Sequence, residues 1–134
     1  MKQEDKDLLL QDLCARLPYG VKMNHIADDE HSPSTLIGID KDYVSLQSIG
    51  GYSYVPVEHY KPYLFPLSSM TEEQKKEYRK ACELDTEILS KHPMDGSPFP
   101  ALYNSQDWLD AHHFDYRGLI PMGLAIDATN KNIY

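Results

Sequence analysis

Leu9, Leu10 and Leu13 within residues 3–16, and Leu17 directly after them, recur at helical spacing, with Cys14 beside them and acidic residues opposite. The pattern is that of an amphipathic helix, which Pro18, Tyr19 and Gly20 bring to an end. The period then shortens. Residues 21–26, 35–40, 43–49 and 52–57 are short runs rich in β-branched and aromatic side chains, the signature of strands. Their connections are a polar stretch at 27–33, a tight turn at Asp40, Lys41 and Asp42, and a hairpin at Gly50 and Gly51. An antiparallel meander follows. Either it curls into a partly open SH3-like barrel, or it lays one face on the helices.

Past the meander, Lys61, Pro62, Tyr63, Leu64, Phe65, Pro66 and Leu67 form an apolar stretch in which two prolines lack ladder donors, so it reads as an extended edge or crossover segment. Thr71, followed by Glu72, Glu73 and Gln74, has the form of a capping box. The helix it opens runs to about Lys91, before Pro93, with Tyr78, Ala81, Cys82, Asp85, Ile88 and Leu89 on one side. Asp85 is out of place on that stripe. Residues 94–100, with Gly96, Pro98 and Pro100, read as a loop, and Asn104 or Ser105 can cap a short helix through about His113. Residues 119–126 are apolar and interrupted, which fits a helical turn or a last strand, while 129–134 are polar enough to fray. The expected architecture is a single α+β domain over residues 1–134: a small antiparallel sheet at about 21–57, an N-terminal helix at 3–16 and a helical part at about 71–134.

Charge narrows the partners. A formal net charge of −8 and a pI near 5.1 repel phosphate backbones and anionic lipid, so nucleic acid and membrane surfaces are disfavoured and a protein partner is expected. No apolar run approaches the roughly 20 residues that span a bilayer, and the polar start at residues 1–7 has no secretory core. Cys14 and Cys82 lie in helical patterns among Leu and Ala, where a thiol acts as a small buried hydrophobe, and a reducing cytoplasm suits them.

The densest polar cluster is His112, His113, Phe114, Asp115, Tyr116 and Arg117. His113 and Asp115 could converge on an extended backbone as an acid-base or ligand pair, with His112 and Tyr116 beside them and Arg117 as an anion clamp. A metal would need further ligands from His25, His31, His59 or His92, yet no H-x-x-x-H, H-E-x-x-H or C-x-x-C spacing occurs. The structural alternative has a histidine on the last helix carbonyls and an Asp115–Arg117 ion pair fixing the turn at Gly118. No nucleophile elbow or phosphate-cradling glycine motif is present, and no metal or cofactor is expected. Tyr43, Tyr52, Tyr54, Tyr60 and Tyr63 crowd the expected sheet and its exit. They either fill a small core or form a protein-binding patch of large apolar faces with polar tips.

The stretch at 61–73 (Lys61-Pro62-Tyr63-Leu64-Phe65-Pro66-Leu67-Ser68-Ser69-Met70-Thr71-Glu72-Glu73) and the stretch Trp108-Leu109-Asp110-Ala111-His112-His113-Phe114-Asp115-Tyr116-Arg117-Gly118-Leu119-Ile120 resemble a family of small uncharacterised proteins from Bacteroides-type gut bacteria and their phages or mobile elements. The start, with Cys14, Ala15, Arg16, Leu17, Pro18, Tyr19 and Gly20, is similar as well. The resemblance implies a bacterial or phage origin and a cytoplasmic location, and it carries no site residues. The expected function is that of a noncatalytic interaction or accessory protein using a tyrosine-bearing sheet face. The alternatives are a small metal-dependent or acid-base hydrolase on the 112–117 cluster, and a small-barrel nucleic-acid module that the charge disfavours.

Overall fold

A computed structural model describes residues 1–27, 33–93, 95–97 and 104–134. Most of the connection at 27–33, with His31, and most of the loop at 94–100 lie outside the described residues. The fold is α+β. Helix α1 (Gln3–Arg16) is followed by β1 (Lys22–His25), β2 (Ser34–Asp40), β3 (Tyr43–Ser48), β4 (Gly51–Pro56) and β5 (Tyr60–Pro66). Helices α2 (Glu72–Lys91) and α3 (Asn104–Ala111) and the short strands β6 (Phe114–Asp115) and β7 (Ile126–Asp127) complete it.

Among the described residues the sheet has seven strands in the order β4-β3-β2-β1-β5-β6, with β7 also on β5. β1 to β5 pair antiparallel, whereas β6 and β7 run parallel to β5. Among the described residues the sheet is open, and closure into an SH3-like barrel is not confirmed. Other elements cover the inner face: Leu9 and Leu13 of α1 and Leu119, Leu124 and Ala125 of the late turn share one core with Val21, Met23, Leu36, Val44, Leu46, Val57 and Leu64. Each fully buried leucine contributes on the order of 2 kcal/mol, and the covered face has no need of closure.

β5 is neither an edge nor a crossover. The Ile26 N–H donates to the His59 carbonyl at 2.9 Å, and with the β1–β5 register this alternation turns the N–H side of odd-numbered residues toward β1. Pro62 and Pro66 are even-numbered, so β1 loses no donor to them. At the Lys22 and Tyr63 position the ladder is bridged by a side chain: the Lys22 N–H donates to the Tyr134 hydroxyl at 2.9 Å, and that hydroxyl donates to the Tyr63 carbonyl at 2.7 Å. The tail therefore docks where composition suggests fraying.

Two expectations for α1 are also corrected. Cys14 is exposed, and Asp12 and Arg16 are fully buried on the helix face that carries Leu9 and Leu13.

Helix α2 opens with the expected capping box on Thr71 and Gln74 and buries no residue completely. Asp85, the misfit on its stripe, accepts hydrogen bonds from the backbone N–H and side chain of both Asn104 and Ser105 at 2.7–3.0 Å, which satisfies two of the orphan donors at the start of α3. Trp108 completes the contact, its ring tilted against Tyr78 at 5.8 Å and its Nε1 donating to Glu77. Burial by itself would raise the Asp85 carboxyl, but the bonds from Ser105 and Asn104 outweigh it and hold its pKa at about 2. A carboxyl depressed in this way stabilises the fold above its unfolded pKa of about 4 and loses that contribution as pH falls toward 2. Emission from Trp108, the single tryptophan, is expected to report α2–α3 separation within that window. Asp85→Asn is expected to weaken the contact at neutral pH and flatten the acid transition.

Candidate functional site

The polar cluster near the C-terminal end is built around a carboxylate from the other end of the chain. Asp12 accepts from Arg16 Nε through Oδ2 and from Arg117 Nη1 through Oδ1, both at 2.8 Å. One turn of α1 places Asp12 and Arg16 on the same helix face. Arg16 also donates from Nη2 to the Phe114 carbonyl at 2.6 Å and lies 5.3 Å from the centre of the Tyr116 ring, while its buried Nη1 has no partner among the described residues. Arg117 donates to the Tyr116 hydroxyl at 2.8 Å, and that hydroxyl donates to Asp110 Oδ1 at 2.6 Å. Burial pushes the Asp110 carboxyl up, against the Tyr116 bond and the charges of Arg16 and Arg117, which pull it down. Two guanidinium groups and two carboxylates thus balance around one phenol.

The expected Asp115–Arg117 pair does not form, because Arg117 turns to Asp12. Asp115 instead accepts from the backbone N–H groups of Leu119 and Ile120, both at 2.9 Å, and so fixes the turn after Gly118. His112 bonds the Trp108 carbonyl at 2.8 Å and stacks on the indole at 4.0 Å. His113 sits at φ 62, a left-handed backbone where β-strand geometry was one expectation, and its ring stacks on Tyr134 at 3.7 Å and 11°. Its carbonyl accepts from Phe65 N–H, and its buried Nδ1 has no partner among the described residues. His113 and Asp115 therefore have separate partners among the described residues.

Nearby, a cleft of about 270 Å3 has Phe65 and Phe114 with hydroxyl and amide side chains on its walls and no titratable group among its lining residues. His25 and His59 approach to 6.2 Å between ring centres. Among the described residues no group of three or more His, Cys, Asp or Glu side chains is arranged to hold a metal.

The tyrosines separate into two sets. Tyr63 is 3% exposed and Tyr60 packs against the core with its ring edge-on to His25, so both leave the expected patch. Tyr43, Tyr52 and Tyr54 are 43%, 75% and 57% exposed. Register explains the difference: Val44 and Leu46 point into the core, so Tyr43, Ser45 and Gln47 of β3 and Tyr52 and Tyr54 of β4 face outward together. Tyr43 and Tyr54 stack at 5.0 Å and 16°, and the Tyr54 hydroxyl donates to Asp40 at 2.9 Å, which raises the Tyr54 phenol pKa. The stack forms one wall of a cleft of about 330 Å3 over the Asp40, Lys41 and Asp42 turn.

Sequence reading missed Asp12, Arg16 and Asp110 in the buried network and Tyr134 in the ladder. The one available signal was an aspartate and an arginine at i, i+4 spacing inside an apolar helix face. Compared with known proteins, the chain matches no family model, no curated protein and no solved structure. Among the described residues, no helix is long and apolar enough to cross a membrane.

Asp12→Asn takes from the buried Arg16 and the part-buried Arg117 the one carboxylate that both of them bond, and urea unfolding is expected to show a loss of about 3–5 kcal/mol. Arg117→Gln is expected to cost less, since Arg16 still neutralises Asp12. Burial, then the charges of Arg16, His112 and Lys22, lower the His113 pKa from 6.5 to about 4. A histidine kept neutral in the fold binds fewer protons than the unfolded chain, so its share of stability is complete above about pH 6.5 and declines as pH falls toward 4. His113→Asn, which tolerates positive φ, is expected to remove that part of the slope from urea midpoints measured across this range.

Proposed function

We propose that the chain is a noncatalytic interaction protein, an accessory factor of bacterial or phage origin acting in the cytoplasm, which binds a protein through the outer face of the β3–β4 hairpin. The observation that carries the reading is the stacked and exposed Tyr43–Tyr54 pair with Tyr52 beside it on the same strand face. Tyrosine side chains in such a group bring large contact area at low conformational cost and a hydroxyl for directional bonding. The net charge of −8 supports a protein over nucleic acid as the partner.

The hydrolase alternative has less support. Asp115 spends both carboxylate oxygens on backbone amides, His113 lies under Tyr134, and Arg117 is committed to Asp12.

Affinity capture from a lysate of the natural host tests the reading at moderate salt, with the Tyr52→Ala/Tyr54→Ala double variant as control. Both side chains are exposed, so the variant is expected to keep its fold by circular dichroism. A retained protein whose recovery falls at least about ten-fold in the variant supports the hairpin as the binding surface. Equal recovery by the two baits, or no specific protein on either, removes it.

A further inference from the structure

β4 is a terminal strand of the sheet, and among the described residues no strand pairs with its outer edge. Which backbone groups that edge exposes follows from one bond. Val57 N–H donates to the Asp42 carbonyl at 2.9 Å, so Asp42 and Val57 occupy a hydrogen-bonded position of the β3–β4 ladder. Pairs alternate along an antiparallel ladder, so Val44 with Val55 and Leu46 with Ser53 also exchange bonds, whereas Ser45 with Tyr54 and Gln47 with Tyr52 do not. The N–H and C=O groups of Tyr52 and Tyr54 therefore point away from β3, along the open edge. Pro56 occupies the next such position, where its missing N–H costs β3 nothing and ends the run of outward donors.

Natural edges are ordinarily guarded by charge, by bulges or by a covering segment. Here 25% of residues are charged, yet none lies between Tyr43 and Val57. The edge also matches itself. In an antiparallel pairing of two β4 strands centred on Ser53, Tyr52 of one chain lies opposite Tyr54 of the other, and the converse, so all four outward N–H groups find outward carbonyls. Shifting the register by two residues either way opposes Tyr52 to Pro56 or Tyr54 to Gly50, and the full exchange is lost.

We propose that the partner of this edge is a second copy of the chain, joined through β4 in that register to make one sheet continuous across a two-fold axis at Ser53. The proposal rests on the reading of the hairpin as an interaction surface and identifies its occupant. Charge favours this approach, because two chains of net charge −8 repel each other and residues 43–57 are the longest stretch of the sequence without a charged side chain. In this register Pro56 lies opposite the Gly50 end of the partner's hairpin, so the acidic corner at Asp40, Asp42 and Glu58 meets the uncharged Ile49 and Gly50 loop, not its own copy. Tyr52 and Tyr54 from both chains then form a single outward ladder extended at each end by Tyr43, a cross-strand aromatic arrangement that favours pairing.

Position 53 supplies the test. Directly opposed residues at a non-bonded antiparallel position have Cα atoms about 4.5 Å apart, within the range that a disulfide bridges. In a Cys14→Ser/Cys82→Ser background, Ser53→Cys is expected to give a disulfide-linked dimer at least about ten-fold faster than Tyr52→Cys under the same mild oxidant. Sedimentation of the cysteine-containing chain under reducing conditions is expected to show a monomer–dimer equilibrium, and Ser53→Lys, which opposes two like charges, is expected to raise its dissociation constant at least about ten-fold. Ser53 is exposed, so both variants are expected to retain the far-ultraviolet spectrum of the parent. A chain that remains monomeric at several hundred micromolar overturns the proposal, as does cross-linking at equal rates from the two cysteine positions. In that event, capture of a different protein that depends on Tyr52 and Tyr54 would leave the interaction surface standing, and failure of both experiments would remove the two together.

Discussion

Asp12 is a carboxylate without solvent exposure, and two guanidinium groups converge on it from opposite ends of the chain. Removing such groups from water costs several kcal/mol for each ion, and the cost is offset only when every charge meets a counter-charge at hydrogen-bonding distance. The arrangement therefore has few tolerated variants. α1 must present Asp12 and Arg16 on one turn, and the chain after α3 must return Arg117 and the Phe114 carbonyl to the same place. Hydrophobic contact between α1 and the sheet supplies most of the stabilisation, but it is non-directional. The ion cluster supplies geometry, holding the last part of the chain in one position against the first helix.

Other local features depend on that position. With Phe114 and Asp115 held in β6, Asp115 can organise the following turn, which delivers Leu119, Leu124 and Ala125 to the core and Ile126 and Asp127 to β5. Tyr134 then reaches between β1 and β5. The 112–117 segment has the residue types of an active site, and almost all its polar atoms are engaged in this construction. Chemistry-bearing side chains concentrated in sequence can serve folding when the chain has a buried charge to neutralise.

The hairpin takes no part in that construction. At the opposite side of the sheet, β4 ends the ladder with aromatic side chains in solvent and with the backbone groups of Tyr52 and Tyr54 turned outward. Those side chains and those hydrogen-bonding groups belong to the same residues, so a strand added there would gain aromatic contact and ladder bonds together. Residues 43–57 carry no charge in a chain whose net charge is −8.

Part of this fold depends only on neighbours within a few residues along the chain. The leucine spacing of α1, the four strands of the meander with their turns, the capping box at Thr71 and the turn-or-strand character of residues 119–126 are all local patterns, and the structure shows each of them. The outward direction of Tyr43, Tyr52 and Tyr54 was legible only as one of two possibilities, since alternation specifies that two faces differ without saying which is covered. Tertiary structure decided that Tyr63 is buried and Tyr54 is not, that the sheet stays open, and that β5 runs inside it. It also decided the partners of the charged residues. Arg117 lies two residues from Asp115 and 105 residues from Asp12, yet it bonds the distant one. The nearer carboxylate had backbone donors within reach, and the distant one was buried beside a second arginine, a circumstance that exists only after the two ends of the chain have met.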